Sequence, residues 1–150
     1  MNMLIMRHGI AEQPRGSDFT RKLTEKGVEG IQRSISRLKD LQIQPTRIFT
    51  SPMTRAQETA MLVMGYANQV QSVEVLEELL PSGAPEEVVS KLNQLRENDI
   101  CLLVSHQPFV SIFVEYLTTT RIFLDTADIA CVSLGEIAHY HGEIECFIHE

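Results

Sequence analysis

Apolar positions in this chain change period several times, and each change marks an element. Residues 3–6 form an unbroken apolar run of strand length, as a strand buried on both faces of a sheet requires. The run stops at Arg7-His8-Gly9 and is followed by a polar loop over 11–21 that contains Pro14 and Gly16. Thr24 is placed to cap a helix that reaches about Gln42, with Ile31, Ile35, Leu38 and Leu41 on one face. Pro45 breaks that pattern, and 47–50 reads as a second strand. Ser51-Pro52 suggests a capping residue followed by a proline in the first helical position, so a second helix is predicted from there to about Met64. A short third strand is predicted at 73–76, a turn at 81–85 and an amphipathic helix at 86–96 using Val89, Leu92 and Leu95. The run 100–104 is the clearest buried strand, and the turn at 105–108 leads into a helix ending near Leu117.

The last third changes character. Segments 129–134, 137–140 and 144–148 have strand composition, with Gly135 and Gly142 at the turns, which predicts a terminal antiparallel hairpin. Alternating strands and helices followed by a hairpin predict a three-layer α/β/α sandwich, with a mainly parallel sheet and an antiparallel edge. A chain of 150 residues without a linker or repeat suits a single domain spanning 1–150.

Composition narrows the function. A net charge of −7 argues against a nucleic-acid or anionic-membrane surface, so any anion site must be a local basic pocket. No apolar segment approaches membrane-spanning length, and no signal peptide is visible, which suggests a cytoplasmic protein. Cys101, Cys131 and Cys146 are odd in number and widely spaced, and are expected to be buried free thiols.

Three predicted strands end in residues suited to holding a phosphoryl group. The first delivers Arg7-His8-Gly9, the second leads to Arg55 in the first turn of a helix, and the fourth delivers Ser105-His106-Gln107-Pro108. Parallel topology would bring these to one carboxyl edge, where helix N-termini add free N–H groups. Guanidinium forks match phosphate oxygens, and charged bonds of this kind contribute on the order of 1.5–3 kcal/mol each. An imidazole adds a nucleophile that is neutral at physiological pH, and two histidines allow one to attack while the other stabilises charge. Ser51 and Ser105 lack a nucleophile elbow and are expected to be strand-end or capping residues. His139, His141 and His149 fit no standard metal-ligand spacing and are expected on the surface. His8 and His106 are poor metal ligands beside arginines, so neither a metal nor another cofactor is expected.

Arg7-His8-Gly9, Ser51-Pro-x-x-Arg55-Ala-x-x-Thr59-Ala and Ser105-His106-x-Pro108, in this order, resemble the histidine phosphatase (phosphoglycerate-mutase-like) superfamily. The resemblance covers residues 3 to about 109. It implies that His8 is the nucleophile that forms a phosphohistidine intermediate, and that Arg7, Arg55 and His106 bind phosphate. Arg21, within Arg21-x-Leu-Thr-x-x-Gly27, corresponds to a further phosphate contact of the smallest members. That element, the short chain and Leu76-Glu-Glu-Leu-Leu-Pro81-Ser-Gly83 look most like SixA-type phosphohistidine phosphatases.

Glu78 falls where members acting on phosphate monoesters carry a general acid, although Glu77 and Glu78 also read as a pair of solvated glutamates. The implied partner is a phosphorylated histidine-containing phosphotransfer protein, acted on by a monomeric enzyme with an open groove. A small phosphate ester is the alternative substrate, and a non-catalytic phosphate-binding adaptor is the alternative from outside enzymology.

Overall fold

In the computed structural model, which describes residues 1–135 and 141–150, the strands are β1 (Asn2–Arg7), β2 (Arg47–Thr50), β3 (Val73–Val75), β4 (Ile100–Ser105), β5 (Ile129–Leu134) and β6 (Gly142–Ile148). The α-helices are α1 (Glu25–Asp40), α2 (Thr54–Met64), α3 (Pro85–Lys91) and α4 (Phe109–Thr118). One six-stranded sheet has the order β3-β2-β4-β1-β5-β6. β1 pairs parallel with β4, and β2 pairs parallel with both β3 and β4. β5 runs antiparallel to β1 and to β6, giving the mainly parallel sheet with an antiparallel edge that the element order predicts.

Alternation along β1 divides the core in two. Met3 and Ile5 join the cluster that contains Val88 of α3 and Phe109, Phe113 and Val114 of α4. Leu4 and Met6 join the opposite cluster, with Ile31, Ile35 and Leu38 of α1 and Ala56, Ala60 and Val63 of α2. The sheet is therefore covered on both faces, which is why β1 and β4 carry unbroken apolar runs rather than alternating ones.

Two close approaches tie α1 to the chain leaving β1. A Cβ on Gly9 would lie 2.7 Å from Ile31 Cδ1, and one on Gly27 would overlap the carbonyl oxygen of Ile10. Gly27 is thus required by contact between backbone and helix, and Gly9 sits against the Gly27 carbonyl oxygen, 3.0 Å from where its Cβ would be. Thr24 caps α1 as predicted, accepting from the Gly27 N–H at 3.0 Å.

Several boundaries differ from the sequence expectations. α1 ends at Asp40, with Gln42 at φ 56°, so Leu41 falls beyond the buried face and is 51% exposed. α2 begins at Thr54, leaving Ser51 and Pro52 in the turn that precedes it. Pro85 opens α3 instead of ending a turn, and that helix stops at Lys91. β6 starts at Gly142, so this glycine lies within the strand. The strand predicted at 137–140, with His139, falls outside the described residues.

The cysteine expectation is corrected. Cys101 is a buried free thiol, but Cys131 and Cys146 form a disulfide. They occupy directly paired positions on β5 and β6, with Cα atoms 5.0 Å apart, so the hairpin register itself brings the sulfurs together.

Candidate active site

Register places the candidate residues on one edge of the sheet. Arg7, the last residue of β1, pairs with Ser105, the last of β4, and Thr50, the last of β2, pairs with Val104. Hydrogen bonding continues one step past the strands, from the His8 N–H to the Ser105 carbonyl and from the Ser51 N–H to the Val104 carbonyl, both at 3.0 Å. His8, Ser51 and His106 therefore leave the same edge side by side. The rings of His8 and His106 have centroids 4.9 Å apart.

Contacts of His8 define its tautomer. Nδ1 lies 2.7 Å from the Gly9 carbonyl oxygen, which can only accept, so Nδ1 carries the proton. The Arg55 Nε–H donates to His8 Nε2 at 3.2 Å, which requires a lone pair on that nitrogen. Burial, reinforced by the charges of Arg55, Arg7 and Arg21, holds the His8 pKa down to about 4 against the pull of the Gly9 hydrogen bond. The ring is consequently a neutral imidazole whose lone pair sits on Nε2 at neutral pH.

His106 is held by Ser51. Ser51 Oγ accepts from the Met53 N–H at 3.3 Å and lies 2.7 Å from His106 Nε2; Ser51 is fully buried, and assigning its hydroxyl proton to Nε2 gives that proton an acceptor. The His106 proton is then on Nδ1. Burial first, and then His8 and Arg55, push the His106 pKa down to about 3. This neutral ring offers one N–H, and that Nδ1 is buried without a hydrogen-bond partner among the described residues. Arg7 Nε is buried and unpartnered in the same way. Leaving a buried donor unpaired costs about 1–3 kcal/mol, so two such donors beside the neutral His8 ring make a local demand for an acceptor. A tetrahedral oxyanion meets it.

The arginines are fixed from three directions. Arg7 Nη1 donates to the Leu124 carbonyl at 3.2 Å and lies 3.7 Å from the Asp125 carboxylate, while the Ala127 N–H bridges the Arg7 and His8 carbonyls. Arg55, in the first turn of α2, donates to the Asp18 carbonyl at 2.9 Å and to the Asp18 carboxylate at 3.3 Å. Arg21 donates to the Glu12 carbonyl and, at 2.9 Å, to the other Asp18 carboxylate oxygen. Thr59 joins α2 to the loop leaving β1, since its Oγ1 donates to the Arg55 carbonyl at 2.7 Å and accepts from the Gly9 N–H at 3.1 Å. Arg7, His8, Arg55 and His106 are thus brought together, with Arg21 joined through Asp18.

Glu78 is placed differently. It lies in a short 3-10 turn (Glu77–Leu79), and its carboxylate pairs with Lys91 Nζ at 3.2 Å. A hydrogen bond from its own backbone N–H, followed by Lys91, holds its pKa below the usual range. That environment favours the carboxylate, the form without a proton to donate.

Asp18, Leu124 and Asp125 complete the site without having been assigned a role from sequence, and Ser51, expected only as a strand-end or capping residue, bonds His106. Asp18 alone left a trace, because its spacing of three residues from Arg21 is that of a local ion pair. The exposed His149 side chain bonds the buried Asp128 carboxylate at 2.8 Å, so this surface histidine has a structural partner.

A sequence profile of the histidine phosphatase superfamily (branch 1) matches residues 3–80, more than half of the chain. The chain belongs to this superfamily. It is 34% identical over 140 residues to the phosphohistidine phosphatase SixA of Escherichia coli (strain K12), an alignment covering 91% of this chain and 87% of that protein. Its SixA homolog in Haemophilus influenzae is 34% identical over 132 residues, covering 81% of this chain and 79% of the relative. Among solved structures, the protein histidine phosphatase SixA complexed with tungstate superposes with a TM-score of 0.90 at 32% identity, covering 99% of this chain and 97% of the other. The fold and its family resemblance therefore extend beyond the motif-bearing part to the C-terminal hairpin.

Proposed function

We propose that this chain is a phosphohistidine phosphatase that removes phosphate from histidine on a phosphotransfer signalling protein. The observation carrying this reading is the neutral His8 imidazole, its proton held on Nδ1 by Gly9, beside two buried donors without partners among the described residues. Likeness to SixA over nine-tenths of the chain supports the substrate class.

In this reading His8 Nε2 attacks phosphorus in line with the departing substrate nitrogen. Arg7, Arg21, Arg55 and His106 take the equatorial oxygens as charge builds on them. One phosphorus–nitrogen bond forms on His8 while the substrate's breaks, and the released imidazole takes a proton from solvent. Water then hydrolyses the phosphohistidine on His8. An imidazole leaves readily because its conjugate acid has a pKa of about 6.5, whereas an alkoxide gains about 10²–10⁴-fold from a positioned acid. An ionised Glu78 paired with Lys91 offers an ester no ready proton, which favours the phosphohistidine substrate over the ester.

Among the described residues no helix is long and apolar enough to cross a membrane. A monomer working on a cytoplasmic signalling partner is the setting we infer. The test is phosphate release from a phosphorylated histidine phosphotransfer domain, run beside a panel of small phosphate esters with wild type and His8→Ala. Wild type should release phosphate from the domain preferentially, and His8→Ala should not; equal rates for the two proteins would overturn the covalent reading.

A further inference from the structure

Asp18 touches two of the pocket's guanidiniums. Its Oδ1 accepts from Arg21 Nη1 at 2.9 Å and its Oδ2 from Arg55 Nη2 at 3.3 Å, while its main-chain carbonyl accepts from Arg55 Nη1 at 2.9 Å. The side-chain contacts use fork N–H groups of the kind that bind phosphate oxygens. Within the site, Asp18 is therefore a carboxylate seated where a phosphoryl group would compete.

Its setting makes it displaceable. The Asp18 side chain is 54% exposed, against 6% for Arg55. The 3-10 turn that carries it, Asp18–Thr20, has no buried residue and is held largely by local bonds, from the Phe19 N–H to Ser17 Oγ and from Thr20 Oγ1 to the Ser17 carbonyl. Swinging the carboxylate aside opens no core packing. The main-chain bond to Arg55 Nη1 belongs to a different atom and can persist, so Arg55 stays oriented when the carboxylate leaves.

We propose that Asp18 is an internal anion that competes with the phosphoryl group for Arg55 and Arg21 and thereby sets how tightly the pocket holds phosphate. After the His8 intermediate is hydrolysed, the returning carboxylate helps expel inorganic phosphate from the same N–H groups. This rests on the oxyanion-binding part of the proposed function, and not on the identity of the substrate protein.

Competition and simple positioning predict opposite signs. If Asp18 merely holds the arginines in place, removing its carboxylate loosens them and weakens phosphate binding. If it competes, removal strengthens binding, by roughly fivefold for one like charge a few ångströms away in a water-like medium. The experiment is calorimetric titration of inorganic phosphate into wild type, Asp18→Asn and Asp18→Ala, with thermal unfolding to identify the folded variants. We expect tighter phosphate binding in each folded variant, and a lower Ki for phosphate as product inhibitor by the same factor. Equal or weaker binding in the folded variants, or no binding to any of the proteins, overturns the proposal. The phosphate-release assay decides the substrate reading separately, because the titration uses no phosphohistidine.

Discussion

Arg55 Nε–H donates into the Nε2 lone pair of His8 across 3.2 Å, so the atom we propose as the nucleophile is already a hydrogen-bond acceptor in the free site. The same guanidinium reaches Asp18 through both Nη groups. A phosphoryl group entering between Arg55 and His8 releases the lone pair and gives the donor a charged acceptor in exchange. In the proposed mechanism one side chain thus orders the ground state and then stabilises the transition state.

Replacing Arg55 by Lys should reveal that dual role. A lysine ammonium keeps the charge but lacks the planar fork that serves His8 and an oxyanion together. We expect formation of the His8 phospho-intermediate to slow by about 10²–10³-fold, with a smaller change in KM, by analogy with loss of a single oxyanion donor. Rapid-quench measurement of phosphoenzyme in a single turnover checks this. A loss confined to KM would reduce Arg55 to a binding charge.

Burial of two neutral histidines makes stability depend on pH. Folding lowers the His8 pKa from 6.5 to about 4 and that of His106 to about 3, so the unfolded chain binds more protons in that interval. Their contribution is complete above about pH 6.5, declines as the pH falls, and is lost once it passes the folded values. For His8 alone it is on the order of 3 kcal/mol, since each pK unit corresponds to about 1.4 kcal/mol. Urea unfolding of wild type and His8→Gln between pH 4.5 and 7 should show a shallower pH slope in the variant. Parallel slopes would mean that His8 binds its proton as readily in the folded protein as in the unfolded chain.

How far the sequence could be read depended on the range of the signal. The apolar runs of β1 and β4 and the Thr24 cap of α1 are local, and all were legible. The order of Arg7, Arg55 and His106 at strand ends was enough to place them on one edge, because parallel topology does the rest. Leu41 was misplaced because helical periodicity does not report where a helix stops. The Cys131–Cys146 bond was missed because hairpin register depends on strand ends, and β6 begins two residues earlier than its apolar pattern. Asp18, Ser51 and Leu124 act through contacts between distant segments or through the main chain, and composition carries little trace of either.

The disulfide closes a sequence separation of 15 residues, for which chain-entropy arguments give about 3 kcal/mol of stabilisation. In a reducing cytoplasm the pair would be held as thiols, so the folded domain there would lack that contribution. Dithiothreitol should therefore lower the unfolding midpoint of wild type, and the Cys131→Ser, Cys146→Ser double variant should match reduced wild type and be insensitive to the reductant. Coincident unfolding curves for oxidised and reduced wild type would show that the bond adds nothing to the sheet hydrogen bonds already joining β5 and β6.

Glu78 provides the sharpest test of leaving-group chemistry. Its carboxylate is committed to Lys91 and held in the ionised form, the reverse of the raised pKa that a general acid needs. Glu78→Gln should change turnover of a phosphorylated histidine domain by less than about threefold, because departure of imidazole needs little protonation. The expected unfolding midpoint is nearly unchanged as well, since an ion pair to the largely exposed Lys91 contributes on the order of 0.2–1 kcal/mol. Initial rates on phosphohistidine and on a small phosphate ester, measured for both proteins, check the argument. A loss of about 10²-fold or more on phosphohistidine would assign Glu78 to proton transfer, and would require the carboxylate to leave Lys91 when substrate binds.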